Sequence, residues 1–242
     1  MGKKLRVQRR GRGTPTFKAK KTGKVAPIRY PVQETGSLNG VVRNLLHEPG
    51  RGAPLAYIEL EEGSGYYIAA PEGVCIDQNI VIGQGAPLRV GNSLPVGSIP
   101  EGTMVCNIEL RPGDGGKLAR SSGSFATVVS HSADKTVLRL PSKRKIEVLN
   151  DCRATIGIVA GGGRREKPFM KAGEKHHMKR AKGQVYPVTK GIKMTAASHP
   201  HGGGRHRRPG KSTTVGRHAP PGQKVGLIAA RSSGRKKRRR RS

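Results

Sequence analysis

Residues 1 to 33 contain no aspartate or glutamate, and none follows Glu174, yet these two stretches hold 31 of the 47 lysines and arginines. By segment the formal charge is +11 over residues 1–33, −6 over 34–110, +5 over 111–160 and +22 over 161–242, for a total of +32. Self-repulsion of that size opposes a compact free protein, so a polyanionic partner is expected. The middle of the chain has the charge balance of an ordinary globular domain, and the two ends have that of arms.

Nucleic acid fits this pattern better than a membrane does. No apolar run approaches the roughly 18 residues of a spanning helix, and neither basic end has the apolar face of an interfacial helix. The first residues, MGKKLRVQRRGRG, lack the apolar stretch of a signal peptide, so a cytosolic chain is expected. Cys75, Cys106 and Cys152 are odd in number, far apart and form no CxxC pair. They read as buried thiols in a reducing compartment and not as a disulfide framework.

Apolar residues make up 33% of the chain and aromatics 3%, with no tryptophan, so any core must be built from Val, Ile, Leu and Ala. The 35 glycines and 17 prolines favour turns over long helices. Short apolar runs predict strands at Gly40–Leu46, Leu55–Leu60, Tyr66–Ala70, Asn79–Ile82, Leu88–Val90 and Met104–Leu110. More follow at Ala126–His131, Thr136–Leu140, Lys145–Leu149 and Thr155–Ala160. Closely set strands of this length predict an all-β fold of two small barrels. The loop Arg111–Ser124 is the best internal boundary. The organisation expected is a basic extension over 1–35, a first barrel over 36–112, a second over 113–175 and a basic extension over 176–242. The extensions cannot bury enough apolar surface to fold alone and are expected to stay disordered until neutralised.

Four motifs are candidates for chemistry. PGDGGKL, residues 112–118, follows a predicted strand as a phosphate-binding loop would. The spacing is wrong, however, and Leu118 stands where Ser or Thr is required, so an interdomain turn is the plainer reading. Glu59, Glu61 and Glu62 beside the turn EEGSG are more simply solvated hairpin surface than a catalytic pair. His176, His177, His199, His201 and His206 crowd one region, but no cysteine lies beyond Cys152 and adjacent histidines rarely share an ion, so no metal is expected. The glycine-rich basic loops VAGGGRREKP (159–168) and HPHGGGRHRRPGK (199–211) remain. Glycine lets backbone amides approach phosphates, and arginine forks onto phosphate or base edges. With few aromatics to stack on bases, recognition should rest on backbone and shape.

GRGTPTF (11–17), EPGRGAPLA (48–56), LPVGSIPEGT (94–103), PGDGGKLARSSGSFATV (112–128), VAGGGRREKP, HPHGGG (199–204) and KVGLIAARSSGR (224–235) occur in one order along nearly the whole chain. Together they resemble the universal large-subunit ribosomal protein two family, in its archaeal and eukaryotic branch. The resemblance implies an OB-fold barrel followed by an SH3-like barrel, with extensions penetrating large-subunit rRNA. It implies a non-enzymatic, early-binding primary rRNA protein of the cytoplasmic ribosome that supports subunit assembly and association, tRNA binding and the peptidyl-transferase region. The partners implied are large-subunit rRNA, neighbouring large-subunit proteins and the small subunit across an intersubunit bridge. Neither a membrane nor a second copy of the chain is among them, and no cofactor is expected beyond Mg2+ associated with the rRNA.

In the family the glycine-histidine loop lies towards the peptidyl-transferase region, which maps onto His199 and His201 here. The family usually reads RGVAMNPVDHPHGGG, whereas this chain reads KGIKMTAASHPHGGG. Thr195, Ala196, Ala197 and Ser198 replace the Asn-Pro-Val-acid stretch. The missing acid weakens an acid/base role for His199 and leaves RNA positioning intact. The residues expected to meet rRNA are Arg9, Arg10 and Arg12 in the N-terminal extension, with Lys117 and Arg120 in the loop between barrels. Arg164 and Arg165 follow the second barrel, and Lys179, Arg180, Arg205, Arg207 and Arg208 lie in the C-terminal extension.

Overall fold

The computed structural model describes residues 2–31, 36–231 and 233. The terminal run GRKKRRRRS, 234–242, lies outside the described residues. The chain divides into two compact units, one of residues 20–174 and one joining residues 1–19 to 175–242.

The larger unit is all-β. Its strands are β1 (Ser37–Leu46), β2 (Leu55–Leu60), β3 (Gly65–Ala69), β4 (Asn79–Gly83), β5 (Ser93–Pro95), β6 (Met104–Cys106), β7 (Ala126–His131), β8 (Lys135–Arg139), β9 (Lys145–Leu149) and β10 (Arg153–Ile156). They form one ten-stranded sheet in the order β3-β2-β1-β4-β5-β10-β6-β7-β8-β9. Every pairing is antiparallel except β4 with β5, which meet through Ile82 and Ser93. Alternation decides which side of each strand is buried. In β2, Ala56, Ile58 and Leu60 are buried while Tyr57 and Glu59 face the other way. β1 is bulged between Val42 and Asn44, so Arg43 is the extra residue and points outward.

Two main cores result. The first gathers Val42, Ile58, Ile68, Ile80 and Ile82 with Tyr30 and Tyr66. The second gathers Leu94, Val96, Val105, Ile108, Val128, Leu138 and Ala154. Val105 and Ile108 precede the Arg111–Ser124 loop and Ala126 and Val128 follow it, yet all four share the second core. The change of core therefore falls at residues 83–86, upstream of the 112–113 boundary that glycine content favours. β10 explains why, since it slots between β5 and β6 and draws residues 93–106 into the second core.

Three strand expectations need correction. Leu88–Val90 is irregular, and the strand lies at β5 instead, because Asn92 turns the chain by accepting from the Val81 amide and donating to the Pro87 carbonyl. Met104–Leu110 stops at Cys106, where Asn107 adopts a left-handed φ of 48°. Thr155–Ala160 becomes Arg153–Ile156, ended by Gly157 at a φ of 117°.

PGDGG folds as a cradle for a carboxylate of the protein itself. Glu109 is fully buried and receives the amides of Gly113 (3.3 Å) and Gly115 (3.0 Å). Arg153 adds its own amide at 2.9 Å and its Nη2 at 2.9 Å. Gly113, Gly115 and Gly116 all have φ near +80°, which lets successive amides turn inward. The loop's amides are thus occupied from within.

Cysteine placement also differs from expectation. Cys106 and Cys152 are buried, and desolvation pushes their thiols up to about 12 and about 11, but Cys75 is exposed in the turn before β4. Its amide bonds Gln78 there, outside any strand alternation.

Two outcomes follow from this packing. Glu109→Ala leaves the Arg153 guanidinium buried without its anion, and urea unfolding should show a loss of about 3–5 kcal/mol. A thiol reagent should modify one of the three cysteines in the native protein and all three after denaturation. Rapid native modification of Cys106 would contradict the core described here.

Candidate nucleic-acid interface

The smaller unit contains 27 of the 47 lysines and arginines and none of the 15 acids. In place of two separate arms, the described residues show the N-terminal segment packed with the C-terminal one. α1 (Arg6–Gly11) carries Arg9 and Arg10 in its last turn, where they suit the negative end of the helix dipole. Gln8 accepts the Leu5 amide at 2.7 Å and caps its start. Leu5 is buried, and it shares a cleft with Val185, Pro187 and Val225. The Lys3 amide bonds the Ala197 carbonyl at 2.8 Å, tying the N-terminal segment to the histidine loop. α2 (Ala172–Ala181) begins at the end of the larger unit, with Glu174 in its first turn, and runs into the smaller one, where Lys179 and Arg180 occupy its last turn, again matching the dipole. β11 (Thr214–Val215) and β12 (Leu227–Ile228) form a two-stranded parallel ladder.

The histidine loop is a folded turn. The amides of Ser198 and His199 both bond the Thr195 carbonyl, Gly202 bonds the His199 carbonyl and Gly203 bonds the Met194 carbonyl. The His201 amide donates to Nδ1 of His199 at 3.0 Å, so the neutral ring carries its proton on Nε2. Partial burial, then His201 and Arg6, hold the His199 imidazole below its ordinary pKa. No carboxylate opposes this shift, because the unit has none. The ring lies directly on the Cα of Gly191, where any side chain would overlap it.

The expected rRNA residues sit in varied surroundings. Arg9 and Arg12 are exposed, and Arg10 lies over the Phe17 ring at 5.9 Å. Lys117 is exposed, whereas Arg120 donates to the carbonyls of Gly116 (2.8 Å) and Ile28 (3.2 Å), and burial lowers its pKa. Arg164 lies against the backbone of Gly52 and reaches Ser122 at 3.5 Å, and Arg165 is exposed beside it. Lys179 bonds Gln184 at 2.9 Å, while Arg180, Arg205, Arg207 and Arg208 are exposed. The structure thus separates cations held by the protein (Arg120, and in part Lys179 and Arg164) from those that face outward. Two residues were missed. Arg6 stands beside His199, and its i, i+3, i+4 spacing with Arg9 and Arg10 was the available signal for a helix face. Arg153 was missed because nothing local marks it as the partner of Glu109. Among the described residues, no group of three or more His, Cys, Asp or Glu side chains is placed to hold a metal ion.

Comparison with known proteins decides the family. Residues 89–224 match the model described as Ribosomal Proteins L2, C-terminal domain. The large ribosomal subunit protein uL2 of Korarchaeum cryptofilum is 56% identical over 240 residues, covering 99% of this chain and 98% of its own. The proteins of the same name from Methanothermobacter thermautotrophicus and Hyperthermus butylicus are 51% and 54% identical, each over 98% of this chain and 100% of their own. The chain belongs to the uL2 family. That family is one of structural ribosomal constituents and not of enzymes.

The imidazole geometry makes a pH prediction. The folded pKa of His199 is lowered, so its contribution to stability is present above the ordinary histidine value and is lost as the pH falls through that range. An NMR titration should place the His199 midpoint below that of an exposed histidine. Gly191→Ala should displace the ring and return the midpoint towards ordinary. An unshifted His199 in the parent protein would contradict the turn described.

Proposed function

We propose that the chain is a primary rRNA-binding protein of the large ribosomal subunit that acts by neutralising phosphate and holding rRNA shape. The observation that carries this reading is a compact unit whose described residues include 20 lysines and arginines and no acid. Such a unit has no internal counterions and gains most by taking phosphates as its partners. Arg9, Arg10, Arg12, Arg180, Arg205, Arg207 and Arg208 are the outward cations of this unit, Lys117 and Arg165 those of the larger unit, and Arg120, Arg164 and Lys179 shape the segments that present them. Mg2+ enters with the bound rRNA.

The first core is read as an OB-fold barrel and the second as an SH3-like barrel, with the acid-free unit as the extension into rRNA. In this account the protein works as a single copy in cytoplasmic ribosomes, against rRNA and other large-subunit proteins and near the bridge to the small subunit. It supports assembly, subunit association and tRNA binding. His199 and His201 lie towards the peptidyl-transferase region, where a neutral ring with Nδ1 already occupied positions RNA and does not relay protons.

The test is the salt dependence of rRNA binding. Neutralising several phosphates should cost about 10^3-fold or more in affinity between roughly 50 and 200 mM salt. Replacing Arg205, Arg207 and Arg208 by glutamine should lower the slope of log K against log salt by about 3, since each phosphate contributes close to one. A flat response in the parent protein, or failure of the native protein to sediment with large subunits, would sink the proposal.

A further inference from the structure

One sheet face in the larger unit has chemistry opposite to the rest of the molecule. Tyr57 on β2 and Tyr67 on β3 are direct cross-strand partners, with ring centroids 5.0 Å apart at 40°. Both are half-buried on the side of the sheet that points away from the first core. The Tyr57 ring lies across Gly65, where a side chain would collide with it, so the pair is held in one arrangement. Beside it on the same face runs a groove between β1, β2 and β4, lined by Val41, Val81, Asn39, Asn79, Glu59 and Glu61.

The charges of this face select its partner. Arg43, the basic residue of the groove, is bound by Glu59 at 2.6 Å and Asp77 at 3.6 Å. Glu61 and Glu62 project from the adjoining turn and are exposed. Residues 37–83, which build the face, carry six acids against two arginines, a net charge of −4 in a protein of +32. A phosphate backbone approaching here meets repulsion and an already occupied arginine. An ordered aromatic pair beside exposed carboxylates is instead the chemistry that takes guanidinium and ammonium groups. The rings offer cation–π contacts and the carboxylates offer charge-assisted hydrogen bonds. The amides of Asn39 and Asn79 can bond the peptide backbone that carries them.

We infer that this face docks a lysine- and arginine-rich segment of a second protein in the assembled particle. The inference rests on the large-subunit reading, since neighbouring proteins in an rRNA particle are themselves basic. It assigns the sheet face to protein and leaves the acid-free unit to RNA.

The free full-length protein provides the first test, through the fluorescence anisotropy of a short labelled arginine-rich peptide. The parent protein should bind it. Glu61→Gln with Glu62→Gln should weaken binding about threefold to tenfold, the size expected for two exposed ion pairs. Tyr57→Leu should weaken it about threefold through lost cation–π contact. Both variants should bind rRNA as the parent does. Absent peptide binding, or peptide binding insensitive to these changes, overturns the inference. So does a Tyr57→Leu variant that loses affinity for a single-stranded RNA oligonucleotide while keeping it for the peptide. A photo-crosslinker at position 61 in purified large subunits should then join a Lys/Arg-rich protein segment, and a cross-link to rRNA overturns the assignment. Failure of the chain to enter large subunits would defeat the proposed function alone, because the peptide titration needs no ribosome.

Discussion

The buried pairing of Glu109 with Arg153 is the constraint on which the larger unit depends. A carboxylate without solvent is tolerable only when its oxygens are filled with donors. Here they are filled by the guanidinium and by amides from the 113–115 loop and from β10. Each donor fixes a different piece of chain. The same guanidinium also donates to the Pro31 carbonyl at 2.9 Å and lies over the Tyr30 ring at 5.1 Å. The Tyr30 hydroxyl in turn bonds the Asn107 carbonyl and Thr155, and Thr155 meets Ser93. One ion pair thereby sets the depth of the 28–31 segment, the insertion of β10 and the course of the loop after β6. A buried pair of this kind need not be more stable than an apolar core of equal volume. Its effect here is specificity, because shifting β10 by one residue would carry Arg153 out of reach of Glu109.

The charge of the chain is sorted by unit, and the sorting has an energetic consequence. The larger unit keeps all 15 acids and uses several internally, in Glu109–Arg153, Glu48–Arg51 and Arg43–Glu59. The smaller unit has no such option. It is held by Leu5 and Val225, by backbone bonds such as Lys3 to Ala197, and by close approaches at glycine. These act against the mutual repulsion of 27 cations. A polyanion that binds the folded form removes that repulsion and shifts the equilibrium by mass action. Folding of this unit and binding of a polyanion are therefore linked through one free energy.

The strands with clear alternation were legible in the sequence. β2, β7 and β9 match the expected runs residue for residue, because period-two burial is written into LAYIEL, ATVVSH and KIEVL. β5 and β10 were misplaced, since each is short and owes its strand character to its neighbours. The cradle at Glu109 was illegible for a related reason. PGDGG announces inward-turning amides, but nothing local says whether they wait for a phosphate or close on a carboxylate brought by the preceding strand. The joining of the N-terminal and C-terminal segments was hidden in the same way. Leu5 and Val225 are isolated apolar residues in basic stretches, and only tertiary contact gives them meaning. The family, by contrast, was readable from motifs that recur along nearly the whole chain.

The histidine loop shows how surroundings decide what a residue can do. In this chain Ser198 stands where the family usually places an acid, and no carboxylate exists anywhere in the unit to replace it. Arg6 and His201 instead disfavour the imidazolium. Protonation at Nδ1 would also break the bond from the His201 amide, so charge and geometry oppose it together. The ring is left with its one donor at Nε2 and is packed against Gly191, which limits its reorientation. In a ring so held, the lowered pKa and the backbone bond at Nδ1 both favour the neutral form, and the close packing resists reorientation.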